Sequence, residues 1–386
     1  MNHKKYDLII VGGGILGTFH AYHALKKGLK VVLLEKNTVP QGATVRNFGQ
    51  IVPSGMDLKW QNIGRKSLEI YQEISQLTDI TIRQSGSIYI ASDTEELQLI
   101  EELSQINKSN NYESHLLTQA QSIACCAGLK KEYAKGALFF PQEMNVDPSL
   151  MIHRVRKLLI EKYQLEFFSN NTVKDLEDKG NEVLATTANN QKFIASKAIV
   201  CNGSDFKILF PELFNQSDLV VSKLQMLRTK PQKNYTLAPS VLTGWTIRRY
   251  ESFYECPSFQ SIKDKENKEA YHNQYGVHIL FKQVNDGSVI LGDSHEYQDA
   301  VKADLIGFDR NEDLDHFMIE ESKKIMNLPN YQIDKRWVGM YSQCKEQDVF
   351  EQQIEKNIHI VTGIGGKGMT GSPAFSEMSL NNIINR

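Results

Sequence analysis

The sequence predicts an α/β chain, α+β overall: a Rossmann-like nucleotide-binding domain joined to a mostly antiparallel-sheet substrate domain. Three observations carry this expectation. A strand, a glycine-rich turn and a helix open the chain. A second glycine-rich turn lies close to its end. From about Leu219 onward, alternating strands dominate.

The opening run Leu8 to Val11 is apolar on both faces, as a strand buried in a parallel sheet should be. Gly12, Gly14 and Gly17 follow in dinucleotide spacing. The first makes the tight turn, the second lets the backbone approach a pyrophosphate, and the third lets helix pack on strand. A helix from Ile15 and Leu16 to about Lys27 points its positive end at that pyrophosphate, and Gly28 suits its C-cap. Lys30 to Leu34 reads as a second buried strand. Glu35, followed by Lys36, then stands where a ribose 2′-hydroxyl would be, which disfavours NADP. The closing turn is Thr362-Gly-Ile-Gly-Gly-Lys-Gly-Met-Thr-Gly-Ser372. Two such turns at opposite ends of one chain point to a shared FAD site.

At 386 residues and 41% hydrophobic composition, the chain can bury the cores of two domains. A net charge of -2 gives no reason to expect nucleic acid or anionic lipid as partner. Cys125, Cys126, Cys201, Cys256 and Cys344 are odd in number and lack CxxC spacing, which suits a reduced, cytoplasmic compartment. The N-terminus lacks signal-peptide architecture, and no apolar run approaches the ~20 residues of a transmembrane segment.

Between the two glycine turns comes first the loop Pro40 to Gly49, then an amphipathic helix over about Leu58 to Leu77. A strand follows at Ser87 to Ala91, a helix at Glu95 to Asn107 and a strand at Gly136 to Phe140. Asp147-Pro148 reads as N-cap and first turn of a helix to about Tyr163. Short strands are expected at 165–168, 172–176, 182–187 and 191–194, with a buried strand over Ala198 to Cys201 ending at Asn202-Gly203. Strands at Val220 to Leu227, Gly244 to Tyr250, Tyr275 to Gln283 and Ser288 to Gly292 follow, the last two joined by an Asn285-Asp-Gly287 hairpin. A helix over Asn311 to Met326 and strands at Arg336 to Tyr341 and Ile358 to Val361 lead to the closing turn. The cofactor domain is therefore expected to be discontinuous, 1–80, 146–215 and 344–386, with 81–145 and 216–343 forming the substrate domain.

On these motifs the chain resembles the D-amino acid oxidase-like FAD-dependent oxidoreductases, which include glycine and sarcosine oxidases. Gly12-x-Gly14-x-x-Gly17 with Glu35 is the first shared motif, and Gly42-Ala-Thr44-Val-Arg46-Asn47-Phe-Gly49 looks like the loop over pyrophosphate and flavin. Val173 lies on the strand that would contact adenine, and Asn202-Gly203 matches a third motif. Gly363-Ile-Gly365-Gly366-Lys367-Gly368-Met369-Thr370 looks like the loop that reaches the flavin pyrimidine. Further segments, 44–49, 223–228, 248–253 and 292–297, resemble a bacterial subgroup associated with phosphonate catabolism. That implies an aminophosphonate such as 2-aminoethylphosphonate or an N-alkyl derivative. In Trp337-Val-Gly339-Met-Tyr341, Tyr341 stands where relatives carry a carboxylate-clamping arginine, and Gly339 where some carry the cysteine that attaches FAD. Non-covalent FAD follows as the expectation.

The resemblance implies oxidation of a small primary or secondary amine by hydride transfer to flavin N5, then imine hydrolysis. In that chemistry the cofactor does the redox work and the protein orients and polarises. No metal is expected. Catalysis is flavin-centred, with Tyr341, His278 and Lys367 as candidate helpers. Lys367 and the backbone N–H groups of Gly365 to Met369 are expected to stabilise reduced flavin at N1 and O2. Substrate contacts are expected from Gln50, Arg248, Tyr250, His278, His295 and Tyr341. Arg248 serves as anion clamp on a strand where Arg249 points the other way. D-amino acid, glycine or sarcosine oxidation and 2-hydroxy-acid oxidation on the same scaffold are the alternatives, with a non-turnover flavoprotein as a third. The electron acceptor, oxygen or another, stays open, and an oligomer is compatible with the sequence.

Overall fold

The computed structural model describes residues 4–385; residues 1–3 and 386, the ends of the expected cofactor-domain segments, lie outside it. The opening strand Lys5–Val11 runs parallel to Val31–Leu34 on one side and to Lys192–Val200 on the other. Ile358–Thr362 adds in parallel beyond Lys192–Val200, and Glu166–Phe168 beyond Val31–Leu34. The register aligns Val11 with both Leu34 and Val200, and Val200 with Ile360. Four strands therefore end together, and each hands on to a motif: Gly12, Glu35, Asn202 and Gly363. Ligands of doubly wound sheets bind in the crevice outside these carboxyl ends.

The helix Ile15–Lys26 is buried around its whole circumference from Ile15 to Leu25. Its flanks are covered by the helices Pro148–Tyr163 and Gly368–Ile384. The Asp147 side chain caps the first of these, accepting from the Ser149 and Leu150 amides with Pro148 in the first turn, as expected. The helix Gly368–Ile384 starts within the closing glycine turn and packs against Leu58–Ser75 so tightly that a Cβ at Gly371 would lie 2.6 Å from the Trp60 ring.

The second sheet is mostly antiparallel, with one parallel pair between Ser240–Leu242 and Ser87–Ala91. The long neighbours Leu219–Thr229 and Ile333–Cys344 pair over nearly their whole length. The hairpin between Leu280–Gln283 and Val289–Gly292 forms as expected, with Gly287 at positive φ. Two expectations fail here. Residues 244–250 are not a strand but a helical turn, Gly244–Ile247, that runs on towards the 3₁₀ turn Glu251–Phe253. The strand expected over Tyr275 to Gln283 is also shorter, Leu280–Gln283, because 275–276 form a turn and 277–279 have no regular structure. The reason in the first case is long-range. A Cβ at Gly244 would lie 2.1 Å from the Glu96 carboxylate, so glycine lets this turn pack directly against the start of the helix Thr94–Ser109.

Glu143 anchors the loop Pro53–Gly55 to this sheet. It is fully buried and accepts from the Ser54 amide at 2.7 Å, the Ser54 hydroxyl at 3.0 Å and Tyr112 at 2.8 Å, with Ser87 as a fourth donor. Burial pushes its carboxyl up to about 7. A carboxyl raised on folding binds its proton more tightly in the native state, so its contribution to stability is complete at low pH and is lost as pH rises through about 7. Glu143→Gln keeps the shape and can still satisfy the amide, the hydroxyls and Tyr112. It should remove this loss, gaining about 2–3 kcal/mol relative to wild type between pH 5 and pH 8. Thermal unfolding at both pH values checks this; equal slopes would place the burden on another group.

Candidate active site

Two cavities meet at the carboxyl edge of the parallel sheet. The first, about 1120 Å³, is lined by Gly12, Gly14, Ile15 and Leu16 from the opening turn and by Glu35, Lys36, Thr44 and Arg46 beyond it. Val173, Asn202, Gly203, Gly363 and Gly365 complete the expected residues on its wall. Gly17 does not line it. Its Cβ would sit 2.0 Å from the Gly12 carbonyl oxygen, so it serves helix-on-strand packing. The second cavity, about 740 Å³, shares Ile15, Ala43, Thr44, Tyr341, Ile364 and Gly365 with the first and continues between the two sheets. Asn47, Gly49, Gly366, Lys367, Gly368, Met369 and Thr370 lie on its cofactor-sheet side, and Gln50, Tyr250, His278, His295 and Tyr341 also face it.

The first cavity has the chemistry of a dinucleotide site. Glu35 is buried, and its two oxygens accept from the Gly13 amide at 2.8 Å and the Asn37 amide at 2.9 Å, fixing the carboxylate at the wall. The Thr44 hydroxyl accepts from the Ile15 amide at 2.9 Å, pinning the second loop to the helix start. Nothing lies within 4 Å of a Cβ built on Gly42 or Gly203, so the space opposite them is open. The side-chain oxygens of Asn171 and Asn202 are buried without a donor on this wall, as suits hydroxyl or amine donors from a ligand.

Arg46 and Asn47 build the loop. Asn47 donates to the Ala43 and Thr44 carbonyls at 2.9 Å each and accepts from the Gly49 amide at 2.7 Å, which closes the turn. Arg46 donates to Gln41 and Val338 carbonyls, while its own carbonyl accepts from Trp337 Nε1 at 3.1 Å. The loop is thereby tied to the strand Ile333–Cys344 of the other sheet. Trp337 and Tyr341 share the face towards Arg46, and Arg336 lies on the opposite one, 3.4 Å from Asp315, as alternation predicts.

Two site expectations are corrected. Arg248 is absent from both cavity walls. Its guanidinium contacts Asp93 at 2.7 Å, Glu95 at 3.1 Å and Glu96 at 3.0 Å, all at the start of the helix Thr94–Ser109. The strand assumed for 244–250 had placed it wrongly. Because the segment is a turn, its neighbour Arg249 faces the cleft, donating to the Gly276 carbonyl at 3.3 Å and to Tyr297 at 2.9 Å. Lys367 lines the cleft but is not a free charge. It pairs with Glu251 at 2.7 Å and Asp348 at 3.1 Å, which offset its charge. Among the described residues lining the cleft, Lys263, Lys345 and Lys367 all have carboxylate partners, and Arg249 has none within ion-pair distance.

A further group was not anticipated. Asp293 lines the cleft, buried beside His278 and His295. His278 Nε2 lies 2.7 Å from Asp293 Oδ1, and its Nδ1 lies 3.1 Å from the Thr246 hydroxyl. His295 Nδ1 is 3.1 Å from the Gly276 carbonyl, which can only accept, so that nitrogen carries the proton. Burial, then Arg249, pulls His295 down to about 3, and burial also lowers His278. Burial opposes the charge of Asp293, but His295, His278 and Arg249 outweigh it and hold the carboxyl below the usual aspartate range. The available signal was the i, i+2 spacing of Asp293 and His295, which places both on one face of an extended segment.

Residues 7–379 match the family profile of the FAD dependent oxidoreductases (DAO). The chain belongs to this DAO family. Its cofactor is therefore FAD, in agreement with the glycine cradle and the donor-seeking amides of the first cavity. The chain is 27% identical to human mitochondrial sarcosine dehydrogenase over 149 residues, 37% of this chain and 16% of that protein. It thus spans only a small part of that relative. It is 21% identical to the glycerol 3-phosphate dehydrogenase of Caloramator mitchellensis over 380 residues, 96% of this chain and 72% of that protein. The fold is similar to the crystal structure of glycine oxidase from Geobacillus kaustophilus, with a TM-score of 0.79 at 13% identity, covering 99% of this chain and 95% of that one. As a DAO-family oxidoreductase the chain thus has both amine-oxidising and glycerol-phosphate-oxidising relatives. No helix among the described residues is long and apolar enough to cross a membrane.

Proposed function

We propose that this oxidoreductase oxidises a small amine that carries an anionic end, an aminophosphonate such as 2-aminoethylphosphonate or an N-alkyl derivative. The observation that carries the reading is Arg249, a cleft-lining guanidinium without a carboxylate partner among the described residues. A guanidinium has five donors in a planar fork that matches phosphonate oxygens, and Gly276 and Tyr297 occupy only two of them. Tyr341, in place of a carboxylate-clamping arginine, removes the anchor of an ordinary amino acid, and the resemblance to the phosphonate-associated subgroup supports the same anion.

Bound FAD supplies the two-electron acceptor for the substrate C–H. The chain's residues do the rest. Arg249 binds the anionic end and sets its distance from the cofactor side of the cleft. The buried Gln50 amide, whose Nε2 lacks an acceptor, offers a donor on the same wall. Tyr250 and Tyr341, both pushed up by burial and by Asp293, keep their phenolic protons at any working pH.

The glycerol 3-phosphate dehydrogenase similarity favours a second reading, an alcohol with a phosphate in the same anion site. Anaerobic mixing separates the two. Bleaching of the flavin by 2-aminoethylphosphonate or an N-alkyl derivative, with kcat/KM at least tenfold above sarcosine, glycine and D-alanine, is the expected result. A tenfold advantage for sarcosine or a D-amino acid sinks the phosphonate claim. Bleaching by glycerol 3-phosphate and by no amine sinks the amine claim.

FAD is proposed to be held without a covalent bond. A side chain at Gly339 would begin 3.0 Å from the Tyr341 ring and 3.2 Å from the Arg46 carbonyl. Of the cysteines on the two cavity walls, Cys201 is pushed up by burial, and burial followed by Asp218 pushes Cys344 up to about 12, so neither offers a thiolate. Acid precipitation should release all yellow colour to the supernatant, and colour held by the pellet would refute this.

A further inference from the structure

The geometry points to Asp293 as the group that receives the substrate's nitrogen and balances the positive charge that grows on it during C–H cleavage. This rests on the amine reading above. Asp293 is 5% exposed and lines the cleft, with Oδ1 buried beside His278. Among the described residues its ion-pair contacts are histidines alone, at 2.7 Å and 4.0 Å. A buried carboxylate is costly without a partner charge, and a cationic ligand would provide one. The charged and titratable groups around it are Arg249, Tyr250, His278, His295 and Tyr341.

The chemistry suits that placement. A neutral amine R–CH2–NH–R′ loses its C–H as a hydride to the cofactor, carrying both electrons. The nitrogen lone pair closes a C=N bond, leaving R–CH=NH⁺–R′. Water then adds at carbon and the C–N bond breaks, giving R–CHO and R′–NH3⁺. The only charge formed on the substrate is positive and sits at nitrogen, where a fixed carboxylate stabilises it without reorganising. Arg249 holds the opposite end, so the cleft is matched to a molecule with one anionic and one cationic terminus. An alcohol would instead need a base for its hydroxyl proton, and His295, held neutral by burial and Arg249, is a weak one.

The test uses the FAD-loaded protein and two phosphonates that cannot be oxidised. 2-Amino-2-methylpropylphosphonate has no hydrogen on the carbon bearing nitrogen, and neopentylphosphonate replaces its ammonium with methyl. Their binding is read from the visible absorption of the bound flavin. Wild type should bind the ammonium compound at least tenfold more tightly. Asp293→Asn should erase that preference while leaving neopentylphosphonate within threefold, and Asp293→Glu should restore part of it. Anaerobic flavin reduction by the best amine should fall at least thirtyfold in Asp293→Asn. Equal affinity of wild type for the two compounds overturns the proposal whatever the variants do. So does a reduction rate within threefold in Asp293→Asn, and wild type still bleached by amines then leaves the amine reading standing. If no amine reduces the wild-type flavin, that reading fails, and the role of Asp293 falls with it.

Discussion

Gly14→Val protein is expected to fold and to purify colourless. Gly14 precedes the helix Ile15–Lys26 in an extended conformation, φ -72° and ψ -171°, which valine adopts without strain. The nearest atom to a Cβ there is the Thr44 hydroxyl at 3.2 Å. The added methyl groups therefore enter the first cavity at the helix N-terminus, where a pyrophosphate gains both free amides and the helix dipole. Displacing it should weaken FAD binding by at least a hundredfold, about 3 kcal/mol. Far-UV circular dichroism and the flavin-to-protein absorbance ratio measure the two halves of this claim. A folded protein with full flavin content would show that the pyrophosphate lies elsewhere. Gly17→Ala should behave differently and fail to fold, because its Cβ would lie 2.0 Å from the Gly12 carbonyl oxygen, far inside contact distance.

The second large effect separates two adjacent arginines. Arg249→Met is expected to lower kcat/KM by about a hundred- to a thousandfold, since a charge-assisted anchor for a substrate anion contributes about 3–4 kcal/mol in a dry cleft. Its unfolding temperature should hardly change, because the side chain has only two internal partners. Arg248→Met should do the reverse. It would leave the half-exposed Asp93 and Glu95 and the 2%-exposed Glu96 facing one another without a cation; the two outer pairs are screened by solvent, so the cost is mainly that of the buried Glu96 contact, about 2–3 kcal/mol. The loss would appear as a drop in unfolding temperature of several degrees, with kcat/KM of the folded fraction within a few-fold of wild type. If Arg249→Met retains kcat/KM within threefold, the anion is held by another group.

The parts that were legible in the sequence share a cause. Glycine spacing, capping residues and apolar periodicity act over a few residues, so the opening strand, turn and helix, the Asp147 cap and the Asn285-Asp-Gly287 hairpin are all written locally. Glu35 and the closing turn could be assigned to one site because parallel strands carry their following loops to the same edge. The strand reading of 244–250 failed where locality failed. Alternating side chains suited an extended segment, yet the segment is a helical turn packed, through Gly244, against Glu96, which is distant in sequence. That turn moved Arg248 onto the helix Thr94–Ser109 and Arg249 into the cleft. The ion pairs of Lys367 were hidden for a similar reason, since Glu251 and Asp348 come from separate segments.

By itself, then, the sequence determined the fold class, the dinucleotide edge and the flavin cofactor, through motifs whose physics is completed within a short stretch of backbone. The tertiary structure alone decided which charges stay unpaired. Glu143 became a buried hub for four donors, Arg248 and Lys367 were neutralised by carboxylates from other segments, and Arg249 and Asp293 were left facing the cleft. Burial and ion pairing depend on what folding brings together across hundreds of residues, and no local pattern encodes them.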